Sequence, residues 1–131
     1  MTFFFRTTRF DTASEFSEGA FRGEDAVRWL SGALSGWKAG VDAEDWGWAV
    51  SATRGEHAYL FGICDHDTDD VTEQGARWCL RIHNLRDRSV PGHKKLFRNI
   101  PPVADPGVVA EIESIPRQQS DFHDIQKDAQ A

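Results

Sequence analysis

Between residues 46 and 83 the chain alternates apolar and small or polar residues three times over, and nothing else in it constrains the fold as strongly. Trp46, Trp48, Val50 and Ala52 alternate with Gly47, Ala49, Ser51 and Thr53. Tyr59, Phe61 and Ile63 alternate with Ala58, Leu60, Gly62 and Cys64. Trp78, Leu80 and Ile82 alternate with Arg77, Cys79, Arg81 and His83. Successive side chains on a strand point to opposite faces, so each stretch predicts a strand with one face buried. Arg54-Gly55-Glu56 reads as a tight connection that makes a hairpin of the first two, and the acidic residues 65–75 read as a loop before the third.

Residues 2–10, rich in Phe and Thr, predict a further strand, and the polar residues 11–22 a loop. From Glu24 to Lys38 the period changes. Val27, Leu30, Leu34 and Trp37 recur at three- and four-residue spacing, which predicts a helix over 24–38 ending near Gly40. Residues 86–104 read as a long connection with a short helical turn at 93–99. Asp105-Pro106 has the form of an N-cap followed by proline at the first helical position, with Val108, Val109, Ile112 and Ile115 as its apolar stripe. Residues 117–131 lack periodicity, so the expectation is one domain over 1–116 and a flexible acidic tail over 117–131. The resulting fold class is α+β: a four-stranded antiparallel sheet in strand-helix-strand-strand-strand-helix order, with both helices on one face. The more apolar Trp, Leu and Ile rows belong inward, which leaves the small residues and Arg77, Arg81 and His83 outward.

Glu44-Asp45-Trp46-Gly47-Trp48 is the most distinctive string in the chain. It resembles small uncharacterised bacterial domains that begin a strand with the same residues. That resemblance extends little beyond the hairpin and implies a fold but no activity. The two carboxylates either close a turn, or meet Arg77 or Arg81, or hold a cation. Asp65, Asp67 and Asp69 have the alternate spacing of a calcium loop, but the sixth place is Asp70 rather than glycine and the twelfth is Ala76 rather than Glu. A solvated loop is the expectation there, with no metal and no cofactor. Zinc through His66 and Cys64 lacks the four nitrogen or sulfur ligands a structural site needs. Cys79 and His83 share a strand face but stand roughly 13 Å apart at about 3.3 Å per residue, too far for nucleophile and base. Cys79 therefore reads as a packing residue.

Charge is segregated along the chain. The net charge of −6 argues against nonspecific nucleic-acid binding, yet residues 74–104 hold seven bases and one acid between two acidic stretches. Arg86, Arg88, Lys94, Lys95 and Arg98 form the densest part of that block. No apolar run long enough to span a bilayer occurs, the N-terminal Phe run lacks the form of a secretory signal, and two cysteines are too few for a disulfide scaffold, so a cytoplasmic protein is expected. No phosphate loop, nucleophile elbow or metal-histidine motif is present. The sequence thus points to a small interaction protein of inhibitor, immunity or regulatory type, binding another protein through charged complementarity, or a second copy of itself through the outer sheet face. The alternatives are an anion- or small-molecule-binding domain, and a small enzyme using Asp45 or Glu44 with Arg81 or His83.

Overall fold

The structure, a computed structural model, describes residues 1–10, 23–44, 47–85 and 104–128, without the side chains of residues 43–44 and 66–70. Among the described residues six strands form one antiparallel sheet: β1 (Thr2–Thr7), β2 (Lys38–Glu44), β3 (Gly47–Arg54), β4 (His57–Thr72), β5 (Gly75–Asn84) and β6 (His123–Asp128). Their spatial order is β2-β3-β4-β5-β1-β6. The two described helices are α1 (Glu24–Ala33) and α2 (Pro106–Arg117).

The alternating stretches pair in a single register that lines up their apolar sides. Trp48 faces Ile63, Ile63 faces Leu80, and Leu80 faces Phe3; beside that row, Val50, Phe61 and Ile82 form the next. Ala26, Val27 and Leu30 of α1 and Val108 and Ile112 of α2 are buried in the same cluster as these residues, so both helices cover one face of the sheet. Tight reversals explain the antiparallel pairing. Arg54 pairs with His57 across a two-residue loop in which Gly55 has φ 57°, the conformation glycine adopts without penalty.

The sheet-dominated architecture overturns the four-stranded α+β layout. Two strands were not legible as such. β2 takes up residues expected to end a helix, because α1 stops at Ala33 and Gly36, at φ 83°, turns the chain into the sheet. Leu34 and Trp37 are buried even so. Their three-residue spacing reflects burial on the way into β2 rather than helical continuity. β6 replaces the expected tail over 117–131, so the domain boundary at 116 does not stand. The acidic loop expected at 65–75 is likewise corrected, since β4 continues to Thr72 before a turn at Glu73-Gln74.

An aromatic cluster explains why the C-terminal segment docks. Phe122 is buried, stacks on Phe5 at 4.7 Å between centroids, and lies edge-on to Phe10 at 5.9 Å. The Arg9 guanidinium lies over the Phe122 ring at 4.8 Å, pairs with Asp121, and donates to Gln119 Oε1 at 3.0 Å. The Phe-rich β1 therefore sits between β5 and β6, covered along both edges.

At the other end of the core, α2 begins as its sequence predicts, with the Asp105 carboxylate accepting from Gly107 N at 3.0 Å and Val108 N at 3.1 Å. Glu111 then anchors the helix to the sheet. It accepts two hydrogen bonds from Arg54, at 2.9 and 2.6 Å, and one from Trp37 Nε1 at 2.9 Å, while Arg54 lies over the Trp37 ring at 4.2 Å. The bonds from Arg54, aided by that from Trp37, hold the Glu111 carboxyl below its ordinary value against the opposing effect of burial. A depressed carboxyl contributes stability above its unfolded pKa and loses it as pH falls through the folded one. Glu111→Gln is therefore expected to lower the melting temperature at neutral pH and to flatten its fall between about pH 5 and pH 3. Parallel pH–melting curves for the two proteins would show that the clamp carries no net stability.

Candidate functional site

The face of the sheet opposite the helices is built from the alternate residues of each strand. In one row, Ala49 of β3 faces Gly62 of β4, which faces Arg81 of β5, which faces Thr2 of β1. In the next, Ser51 faces Leu60 and Leu60 faces His83. On the other side of Arg81, Cys64 faces Cys79, Cys79 faces Phe4, and Phe4 faces Gln126 of β6. Ala49 and Gly62 put no bulky side chain beside Arg81, and both Arg81 and His83 are exposed.

The register thus brings three of the sequence-predicted residues, Arg77, Arg81 and His83, onto one face of one strand. Arg77 is held in place: its guanidinium lies over the Phe4 ring at 4.7 Å and donates to Gln126 Oε1 at 3.3 Å. Arg81 stands two residues beyond Cys79 on the same face, and the Cys79 sulfur raises the pKa of its guanidinium.

Glu44 is not brought to this cluster. Its backbone pairs with Gly47, in the row of Cys64 and Cys79, and three strand spacings of about 4.8 Å separate β2 from β5. An acid–base arrangement of Glu44 with Arg81 or His83 does not follow from the topology. Asp45 lies outside the described residues, as does the whole basic block of Arg86, Arg88, Lys94, Lys95 and Arg98.

Sequence reasoning missed the relation between the two cysteines. Cys64 and Cys79 are directly opposed cross-strand partners, and both thiols are free. The facing Cys64 thiol, with Arg81 and the positive charge of Arg77, pulls Cys79 down to about 6 although burial opposes it. Cys64 moves the other way, because the facing Cys79 sulfur and burial both disfavour its ionised form. Two coupled acids that face each other behave in this way, the first ionisation easy and the second hard. Cys79 is 1% exposed, whereas Cys64 is only partly buried. The pairing could not be counted from the turn. From Thr72 opposite Gly75, an unbroken ladder would set Cys64 against His83, and the irregularities between Asp65 and Val71 move its partner to Cys79.

The cavities lined by described residues lie elsewhere. One of about 620 Å³ runs between α2 and the end of β6, with Met1, Val109 and Ala110 on its wall and the Glu113–Lys127 ion pair, 3.3 Å long, at its rim. A second of about 380 Å³ adjoins the β4–β5 turn, and a third of about 260 Å³ adjoins His57 and Asp105. None of the three is lined by Arg77, Arg81 or His83. No described helix is long and apolar enough to cross a membrane.

No family model matches the chain, and neither a curated protein nor a solved structure matches it. The function must therefore be argued from this face alone.

Proposed function

We propose that the outer sheet face is a recognition surface for an acidic protein partner, and that the chain is a small interaction protein of inhibitor, immunity or regulatory type. The observation that carries this is the outer face of β5, which Arg77, Arg81 and His83 share with Cys79 between the two arginines, beside the small Ala49 and Gly62. Arg77 and Arg81 are four residues apart, about 13 Å along the strand at about 3.3 Å per residue, so the two guanidinium groups can meet separate carboxylates of a partner. Segregated charge of this kind acts chiefly on the rate of encounter.

The test uses the intact chain as bait in a lysate of its native organism, beside an Arg81→Glu/His83→Glu variant. Proteins retained by the wild type at low salt should be lost from the variant. They should also be released from the wild type as salt shortens the screening length from about 10 Å at 0.1 M toward about 3 Å at 1 M. The melting temperature should stay near that of the wild type, because exposed charges typically contribute less than about 1 kcal/mol. Equal retention by both baits would remove these cations from recognition. Sedimentation of the wild type at rising concentration separates a partner protein from self-association through the same face.

A further inference from the structure

We infer that Cys64 and Cys79 form a thiol–disulfide exchange site on the outer sheet face, which takes low-molecular-weight disulfides as substrate and closes to an intramolecular disulfide. The inference stands on the register of β4 and β5 and is independent of any protein partner. Directly opposed residues of an antiparallel pair have Cα atoms about 4.5–5.5 Å apart, inside the range of about 4.4–6.8 Å that a disulfide spans. The two cysteines are already direct partners across β4 and β5, so oxidation requires no change of register. The surroundings divide the labour between them. Cys64 is the more exposed, and beside it stands Gly47, where a side chain would begin only 3.6 Å from the Cys64 Cβ. Cys79 is buried next to Arg81, whose guanidinium stabilises a thiolate there.

The chemistry follows from this arrangement. The Cys64 sulfur attacks one sulfur of the substrate RSSR and passes its proton to the Cys79 thiolate. The substrate S–S bond breaks and RS⁻ leaves, which gives a mixed disulfide at Cys64. Cys79 returns the proton to the departing RS⁻ and its thiolate then attacks the Cys64 sulfur, expelling the second RS⁻. The two cysteines are oxidised by two electrons and RSSR is reduced to one RSH and one RS⁻. Exchange needs a thiolate at the attacking sulfur, and the transfer of the Cys64 proton to Cys79 supplies it.

The experiment incubates the full chain with oxidised glutathione near neutral pH and follows it by intact mass, peptide mapping and alkylation with iodoacetamide. The wild type is expected to lose two hydrogens, to lose alkylation at both cysteines, and to recover both with dithiothreitol. Cys79→Ser should stop at a glutathione adduct on Cys64. Cys64→Ser, whose remaining thiol is buried, should take up no glutathione while folded. Arg81→Gln should slow exchange several-fold at about pH 7 and much less at about pH 9, where an ordinary thiol is itself ionised; a purely structural role for Arg81 would slow both alike. The wild-type measurement needs no substitution to fold. If both wild-type cysteines stay alkylatable in excess oxidised glutathione, or if the adduct at Cys64 never resolves, the exchange site does not exist.

Discussion

A chain ending at Arg117 is expected to lose its cooperative melting transition, or to melt at least 15 °C or so below the full chain. Phe122 alone justifies much of this. It is 6% exposed and stacked against Phe5, and truncating a buried Phe costs about 3–5 kcal/mol. At roughly 4 °C per kcal/mol for a domain of this size, that loss is already about 12–20 °C. The truncation also removes the strand paired with β1 and both side-chain partners of Arg9, Asp121 and Gln119. It turns the Phe-rich β1 into an open sheet edge, which invites association between chains. Against a typical total of about 5–15 kcal/mol the sum is close to the whole. Phe122→Ala in the full chain gives the graded version by urea denaturation. An unchanged melting temperature for the truncated chain would mean that β6 and its aromatic anchor do not hold the sheet together.

Gly75→Ala should be the most damaging of the small substitutions. Gly75 opens β5 after the two-residue turn, with φ 103°, and a Cβ there would stand 2.1 Å from the carbonyl oxygen of Thr7 and 2.6 Å from the nitrogen of Thr8. Both are backbone atoms of the segment leaving β1, so no side chain can swing aside. Either the hairpin lifts away from β1, which breaks the pairing of Thr7 with Ala76, or the end of β1 is displaced. Overpacking of this kind costs about 1–3 kcal/mol and an unfavourable backbone region about 1–3 more. Gly36 supplies the control, since its φ is 83° but nothing lies within 4 Å of its Cβ position. Gly36→Ala should therefore show the conformational cost alone, about 1–2 kcal/mol. Equal losses for the two variants in urea melts would show that the close approach at Thr7 is relieved without cost.

Much of the sheet could be read from the residues because its physics is local. Alternation put Val50, Phe61, Leu80 and Ile82 on one face and Arg77, Arg81 and His83 on the other, since the pleat leaves a strand residue only two directions. The start of α2 was equally legible, because an N-cap satisfies the orphan amides of its own first turn. The strands that escaped notice lacked such a pattern. His123–Asp128 exposes most of its side chains, so no period marks it as a strand. It is ordered through Phe122, which lies just outside it and finds Phe5 only in three dimensions. Lys38–Glu44 was hidden by Leu34 and Trp37, whose burial mimicked another turn of helix.

What the sequence by itself determined is the identity of the two faces: an aromatic and aliphatic side that must be covered, and a small, cationic side that need not be. What only the tertiary structure decided is which residues stand opposite one another across strands. Cys64 and Cys79 are fifteen positions apart, and simple counting from the turn sends Cys64 to His83 instead. The register is set by apolar rows that must line up in the core, Ile63 with Leu80 and Phe61 with Ile82, and the irregular stretch between Asp65 and Val71 absorbs the mismatch with the turn. Burial on the inner face thereby chooses the partners on the outer one, and it is that choice that sets two thiols opposite each other beside Arg81.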